Sequence, residues 1–331
     1  MMNTANALMD PSILFFVLGI GAGLLRSNLV IPTQMARFLA LYLLMAIGLK
    51  GGFALSKSGL DASIAVDIGL ALCLALIIPA VTYLFLRRRI SNLNAAAVAA
   101  TYGSVSAVTF ITAMQYLENR GISYGGHMLA ALALMESPAI LFAIVMANAI
   151  RAKQSGRHAR KGASSTSLRY ILQESFTEGA QFLLLGSMAV GYISGENGRN
   201  VMQPFTGEIF KGMLAFFLLD MGLATAAHLK DLKKVPKLLI VYGLVAPLVH
   251  ATAALWLCSH LGVSLGNASL LAVLAGSASY IAVPAVLKHA IPEASPLYYL
   301  GMPLGLTFPF NILIGIPLYV KLAEHWIPMA R

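Results

Sequence analysis

Residues 94–117 read NAAAVAATYGSVSAVTFITAMQYL. No charge interrupts them, and a helix of this length, rising about 1.5 Å per residue, crosses roughly 30 Å of hydrocarbon. The period-two alternation of a membrane strand is absent. A helix is what remains, because lipid admits only helices and closed barrels. Yet its centre holds Tyr102-Gly103-Ser104-Val105-Ser106. Glycine weakens a helix, and small residues let backbones approach closely. A second apolar stretch, residues 265–291, carries Gly276-Ser277-Ala278-Ser279 at its own middle.

The rest of the chain agrees with a lipid solvent. It has 331 residues, 58% hydrophobic and only 11% charged, with mean hydropathy +0.78. Soluble domains carry about a quarter charged residues. A disulfide framework and a disordered tail are both excluded, and Cys73 and Cys258 read as small core residues inside apolar runs. Apolar stretches recur at 9–25, 31–55, 64–86, 94–117, 126–150, 178–193, 205–229, 235–260, 265–291 and 298–322. These predict an all-α integral membrane protein of ten transmembrane helices, the first and sixth short. The first has Asp10 and no preceding basic residue, so it is kept as structure rather than a signal peptide.

The net charge of +10 would suggest nucleic acid in a soluble protein. Here it gives topology. Fifteen Lys and Arg follow the odd-numbered spans, including Arg87, Arg88, Arg89 and Lys230, and three follow the even-numbered ones. The odd loops therefore face the cytoplasm and both termini lie outside. The longest polar break, basic and serine-rich, is a cytoplasmic linker at 151–168. It separates a first half, 1–150, from a second, 169–331.

The halves resemble each other. Leu39-Ala40-Leu41-Tyr42-Leu43-Leu44 precedes Gly48-Leu49, and Leu214-Ala215-Phe216-Phe217-Leu218-Leu219 precedes Gly222-Leu223. With the two Gly-Ser motifs and Pro138 against Pro309, the matches lie 171 to 175 positions apart, in order. Five spans per half is odd, so the second repeat is inverted, an architecture of secondary transporters.

If both Gly-Ser helices break at mid-membrane, hydroxyls and unpaired N–H groups at half-helix N-termini make an anion site. Its predicted residues are Gly103, Ser104, Val105 and Ser106 with Gly276, Ser277, Ala278 and Ser279. Close packing through small residues is the competing reading. Pro138, Pro284 and Pro309 suggest kinks that free carbonyls for a cation. A charge at a helix centre costs about 2.5–3.5 kcal/mol and needs a partner. Glu136 is accordingly the cation-ligand candidate, with Ser137 beside it, and sodium is the expected ion. Asp220 and Lys50 occupy corresponding regions of the repeats, where pairing is conceivable. His250 reads as a hydrogen-bonded core histidine. No Ser/His/Asp constellation, nucleotide loop or metal cluster points to an enzyme.

Together, several stretches resemble the cyanobacterial-type sodium-dependent bicarbonate transporters over essentially the whole chain. They are Ile47-Gly48-Leu49-Lys50-Gly51-Gly52, Tyr102–Ser106, Pro138-Ala139-Ile140 and Val145-Met146-Ala147-Asn148 in the first half. In the second they are Val241-Tyr242, Ala246-Pro247-Leu248-Val249-His250 and Ile291-Pro292-Glu293-Ala294-Ser295-Pro296. The resemblance implies core and gate domains, a homotrimer, and inward bicarbonate transport driven by sodium. It further implies a bacterial inner membrane and a PII-like regulatory protein at the cytoplasmic face. The family's substrate loops fall on Gly103–Ser106 and Gly276–Ser279. Tyr280 stands where that pattern has a carboxylate, Ala282 where it has a hydroxyl, and Glu136 where it has a shorter acid.

The expectation is therefore a secondary transporter that imports a small anion, bicarbonate first, by sodium symport with elevator-type movement. Sodium is the coupling ion and no cofactor is expected. The more apolar pocket around Tyr280 motivates an alternative, a sodium-coupled carrier of an organic carboxylate. A transport-inactive membrane sensor or scaffold, recruiting a partner through the basic linker, is the third.

Overall fold

The computed structural model describes residues 9–59, 62–154 and 179–327, and its regular structure is helical. The segments are α1 (Pro11–Leu24), α2 (Thr33–Ser58), α3 (Ala62–Leu86), α4 (Asn92–Gly103), α5 (Ala107–Asn119) and α6 (Met128–Gln154). After the central gap come α7 (Gly179–Gln203), α8 (Ile209–Leu229), α9 (Lys237–Leu261), α10 (Leu265–Ala275), α11 (Ala282–Ala290) and α12 (Leu297–Trp326). Among the described residues, seven helical stretches are long and apolar enough to cross a membrane, while α1 and α10 are shorter apolar helices.

One stretch, Gly179–Lys234, runs for 56 residues. Straight, it would extend about 84 Å, far beyond a bilayer core. It bends instead. Gly195 sits at φ 55°, ψ −143°, a conformation open to glycine, and a wide turn at Pro204–Glu208 passes the chain from α7 to α8. The span expected at 178–193 thus continues to Gln203. It carries polar residues such as Asn197 and Arg199, which the apolar run could not include.

Helices α2 and α7 pack face to face, as do α1 and α8, and α8 also lies on α2. Glycine makes both contacts close. A Cβ on Gly52 would lie 2.1 Å from the Met188 carbonyl oxygen, and one on Gly222 would lie 2.3 Å from that of Phe16. Around this bundle, α3 packs on α4 and α6, and α9 packs on α10 and α12. The interrupted span Asn92–Asn119 is 94% buried, against 39% for α3 and α9, so it runs through the centre of the molecule. Leu76, Ile77, Val81 and Leu84 on α3 and Val241, Val245 and Val249 on α9 point outward. They form apolar stripes at helical spacing that suit lipid.

Two expectations are corrected. Cys73 is exposed on this outer face, whereas Cys258 is buried. Pro138 does not break its helix: α6 runs unbroken through it, as α9 does through Pro247. The last span departs from the α-form, with wide turns at Leu297–Gly301, Pro303–Thr307 and Asn311–Gly315. Proline removes a helix donor, and Pro303, Pro309 and Pro317 recur along this stretch. The linker's residues 155–168 lie outside the described residues. Arg151 and Lys153 belong to the last turn of α6.

Candidate functional site

The first break is short. Helix α4 ends at Gly103, Ser104 turns extended at φ −99°, ψ −178°, and α5 begins at Ala107. Ser106 caps α5. Its Oγ accepts the Thr109 N–H at 3.2 Å and the Thr109 hydroxyl at 2.9 Å. The second break is longer, from the end of α10 at Ala275 to the start of α11 at Ala282. Glycine is required at both entrances. A Cβ on Gly103 would lie 2.6 Å from three ring carbons of Pro79 on α3. One on Gly276 would lie 2.9 Å from the Pro247 carbonyl oxygen on α9.

The two breaks cross. The Ser106 N–H donates to Ser277 Oγ at 3.1 Å, and the Ser279 N–H donates to the Thr101 carbonyl at 2.9 Å. Ser277 Oγ in turn donates to the Leu274 carbonyl at 2.9 Å. Ser104, Ser106, Ser277 and Ser279 are each at least 96% buried. The Ser104 hydroxyl has no hydrogen-bond partner. The last span braces the second break: Asn311 Nδ2 donates to the Gly276 carbonyl at 2.8 Å, and the Tyr319 hydroxyl donates to Asn311 Oδ1 at 2.9 Å.

A cavity of about 380 Å³ opens on this crossing. Its polar lining comprises Ser106, Ser279, Tyr280, Glu136, Gln181 and Arg37. Val105 contributes from the first break. Tyr280 is buried, packs on Phe308 with ring centroids 5.0 Å apart, and points its hydroxyl toward Ser106 without an aligned hydrogen bond. Gln181 Nε2 donates to Glu136 Oε2, joining α7 to α6, while Gln181 Oε1 is buried without a partner. Of the predicted residues, Val105, Ser106, Ser279, Tyr280 and Glu136 therefore meet around one space. Gly103 and Gly276 shape its backbone from behind. Ser104 and Ser277 lie buried beside it, and Ala278 packs with Tyr102, Leu239 and Met302. Ser137 is buried next to Glu136 but does not line the cavity; its hydroxyl has no partner.

Residues 11–324 match the model of the Na+-dependent bicarbonate transporter superfamily. The chain belongs to this superfamily. No curated protein matches it. In this multi-pass member of the superfamily, hydroxyls from both helix breaks thus line one cavity.

The other candidates lie elsewhere. Lys50 does not pair with Asp220. Its Nζ lies 3.1 Å from Glu118 and 4.4 Å from the centroid of Phe210, near the far end of α2 from Arg37. Asp220 is half-buried on α8, away from the cavity. Corresponding positions in the two halves of the sequence are therefore not brought together at this pair. His250 is not the hydrogen-bonded core histidine expected, because its Nδ1 is buried without a partner.

The sequence reading missed Arg37 and Gln181, and it missed a buried cluster of Asp67, His127 and Asn267. Asp67 Oδ2 accepts from His127 Nε2 at 2.8 Å and from Asn267 Nδ2 at 2.7 Å, and Asn267 Oδ1 accepts the Gly125 N–H at 2.7 Å. Asp67 is a lone charge in an apolar span, and that signal was available. Its partners come from α10 and from just before α6, which no local pattern in α3 announces.

Proposed function

We propose that the chain is a secondary active transporter that binds a small monovalent anion, bicarbonate first, at the crossing of the two breaks and moves it with sodium. The observation that carries this is the meeting of both Gly-Ser motifs around one buried, hydroxyl-lined space. Buried polar atoms are expected to be hydrogen-bonded. The Ser104 and Tyr280 hydroxyls, left without aligned partners, are the donors available to a bound oxyanion. Glu136 with Gln181 Oε1 supplies oxygen ligands of the kind a hard cation takes.

Inverted repeats and ten crossings are supported by paired close contacts. Gly222 of α8 presses on Phe16 and Gly19 of α1, and Gly48 of α2, its counterpart in the first half, presses on Leu184 and Ser187 of α7. Under a two-fold exchange of halves these are one contact seen twice. Pro79 against Gly103 and Pro247 against Gly276 repeat the relation around the breaks. Helices α1, α2, α7 and α8 would then form the gate and the rest a core that slides past it, an elevator. Arg37 and Gly179 border the cavity at the end of the molecule that the Lys/Arg asymmetry assigns to the cytoplasm, which corresponds to an inward-open state.

A second reading is favoured by the cavity itself. A volume of about 380 Å³ falls in the range of small-molecule sites and leaves room around bicarbonate. A short organic carboxylate would fill it better.

The test is labelled-bicarbonate uptake by the purified chain in proteoliposomes, with sodium and potassium gradients side by side. Uptake that rises with an inward sodium gradient and is lost in Ser106→Ala supports the proposal. Equal uptake in potassium overturns the coupling. Failure of bicarbonate with uptake of propionate transfers the site to the second reading.

A further inference from the structure

Two charged side chains line the cavity, Glu136 on α6 and Arg37 early in α2. Glu136 is held by Gln181. Arg37 is different. Among the described residues, ion pairs engage Lys50, Arg120, Arg151, Arg199, Lys234 and His127, and Arg37 has none.

Its direction follows from its helix. Arg37, Ala40, Leu41 and Leu44 recur at the spacing of one helix face, and all four line the cavity. Helical side chains lean toward the N-terminus of their helix. The Arg37 side chain therefore extends from this wall toward the mouth, beside the start of α7, where Gly179 and Gln181 form the opposite border. It is exposed, while the hydroxyl floor below is buried. Guanidinium stays charged throughout the accessible pH range.

We propose that Arg37 is the specificity-determining residue for anion capture, the cation past which a monoanion reaches the hydroxyl floor. This rests on the reading of the crossing as the substrate site. The floor offers neutral donors, and hydroxyls also serve as acceptors, so on their own they discriminate poorly between charge signs. Glu136 bears the sign that repels the substrate. Arg37 supplies the missing positive field in a cleft with apolar walls, where field lines are focused and the local concentration of the opposite charge rises. The role is one of net charge at the mouth rather than of a fixed two-pronged clasp, because the residue is exposed. Lysine should therefore substitute for it.

The experiment measures labelled-bicarbonate uptake by proteoliposomes containing the full chain. It compares wild type, Arg37→Gln, Arg37→Lys, Ser106→Ala and Ser279→Ala, at low and high ionic strength and across a sodium titration. Arg37→Gln is expected to raise the KM for bicarbonate about tenfold at low ionic strength, with kcat little changed. The difference should shrink with salt. Arg37→Lys should restore most of the loss. Half-saturation for sodium should stay the same or fall, because the removed charge is a cation. A merely structural arginine, or one that anchors a lipid headgroup, would not produce the salt-dependent KM shift. An unchanged KM in Arg37→Gln, with uptake lost in both serine variants, overturns the role of Arg37 and leaves the site standing. Unchanged uptake in the serine variants overturns both.

Discussion

The two helix breaks have similar sequences and different supports. The first lasts three residues and is closed by its own chain. Ser106 caps α5 through Thr109, the Ser-x-x-Thr spacing that holds a helix start locally. The second runs from 276 to 281, and its own Ser279 Oγ accepts the Val283 N–H at 3.3 Å in the first turn of α11. It is in addition held from outside by Asn311 and Tyr319 of the last span. The bonding differs too. Ser277 Oγ donates to the carbonyl three residues back, Leu274. The equivalent carbonyl for Ser104 is Thr101, which accepts the Ser279 N–H across the crossing instead, and the Ser104 hydroxyl has no partner. Similar motifs thus sit in dissimilar hydrogen-bond surroundings.

The largest expected effect separates the two entrances. Gly103→Ala forces a methyl against a rigid proline ring and should cost about 3 kcal/mol, the upper range for overpacking. Gly276→Ala meets one carbonyl and the Tyr319 hydroxyl at 2.9 and 3.1 Å, and should cost about half as much. Thermal midpoints of the purified variants in detergent check this. Pro79→Ala added to Gly103→Ala should recover part of the loss, whereas added to Gly276→Ala it should recover none. Equal costs at the two glycines would break the comparison.

Next comes the external brace. Asn311→Ala leaves the Gly276 carbonyl and the Tyr319 hydroxyl buried without partners, at about 1–3 kcal/mol. Hydrogen exchange should rise across residues 276–281 and stay unchanged at Ser106. A rise at both breaks would mean that they form one unit. The serines sharpen the contrast further. Ser277→Ala removes the acceptor of the Ser106 N–H and should cost about 1 kcal/mol. Ser104→Ala removes a hydroxyl with nothing bonded to it, so the midpoint should hardly move while bicarbonate affinity falls. Loss of stability without loss of affinity would assign Ser104 to packing.

Much of this was legible in the chain. Apolar runs and the Lys/Arg bias give a helical membrane protein, and the paired Gly-Ser motifs mark both breaks to within a residue or two. Glu136 was found as a lone charge in an apolar span. What could not be read is which residues from distant spans complete the site. Gln181 lies in an unremarkable stretch of α7, and its role exists only because α7 packs beside α6. Arg37 is a single basic residue near the start of an apolar run, and no motif in the sequence sets it apart; the cavity does. Pro138 misled because a helix with packed neighbours can tolerate proline without breaking, and the true breaks are at glycines pressed by prolines on other helices.

The smallest expected effect concerns how the two half-helices are tied at their far ends. Arg120, just past α5, lies 2.9 Å from Glu324 of α12. Beyond α11, Glu293 lies 2.7 Å from Arg151 of α6. The hydrogen bond from Arg151 is the main cause holding the Glu293 carboxyl below its ordinary value of 4.5. A depressed acid contributes stability that is full above the unfolded value and lost as pH falls through the folded one. The contribution is therefore present at neutral pH and disappears below 4.5. Both side chains are more than a third exposed, so solvent screens the pair and it is worth less than about 1 kcal/mol. Glu293→Gln should lower the thermal midpoint by about 1–2 °C at pH 7. The deficit should vanish at low pH and shrink in high salt. If it persisted under both conditions, Glu293 would be acting through packing, and the second half-helix would be anchored by shape where the first is anchored by charge.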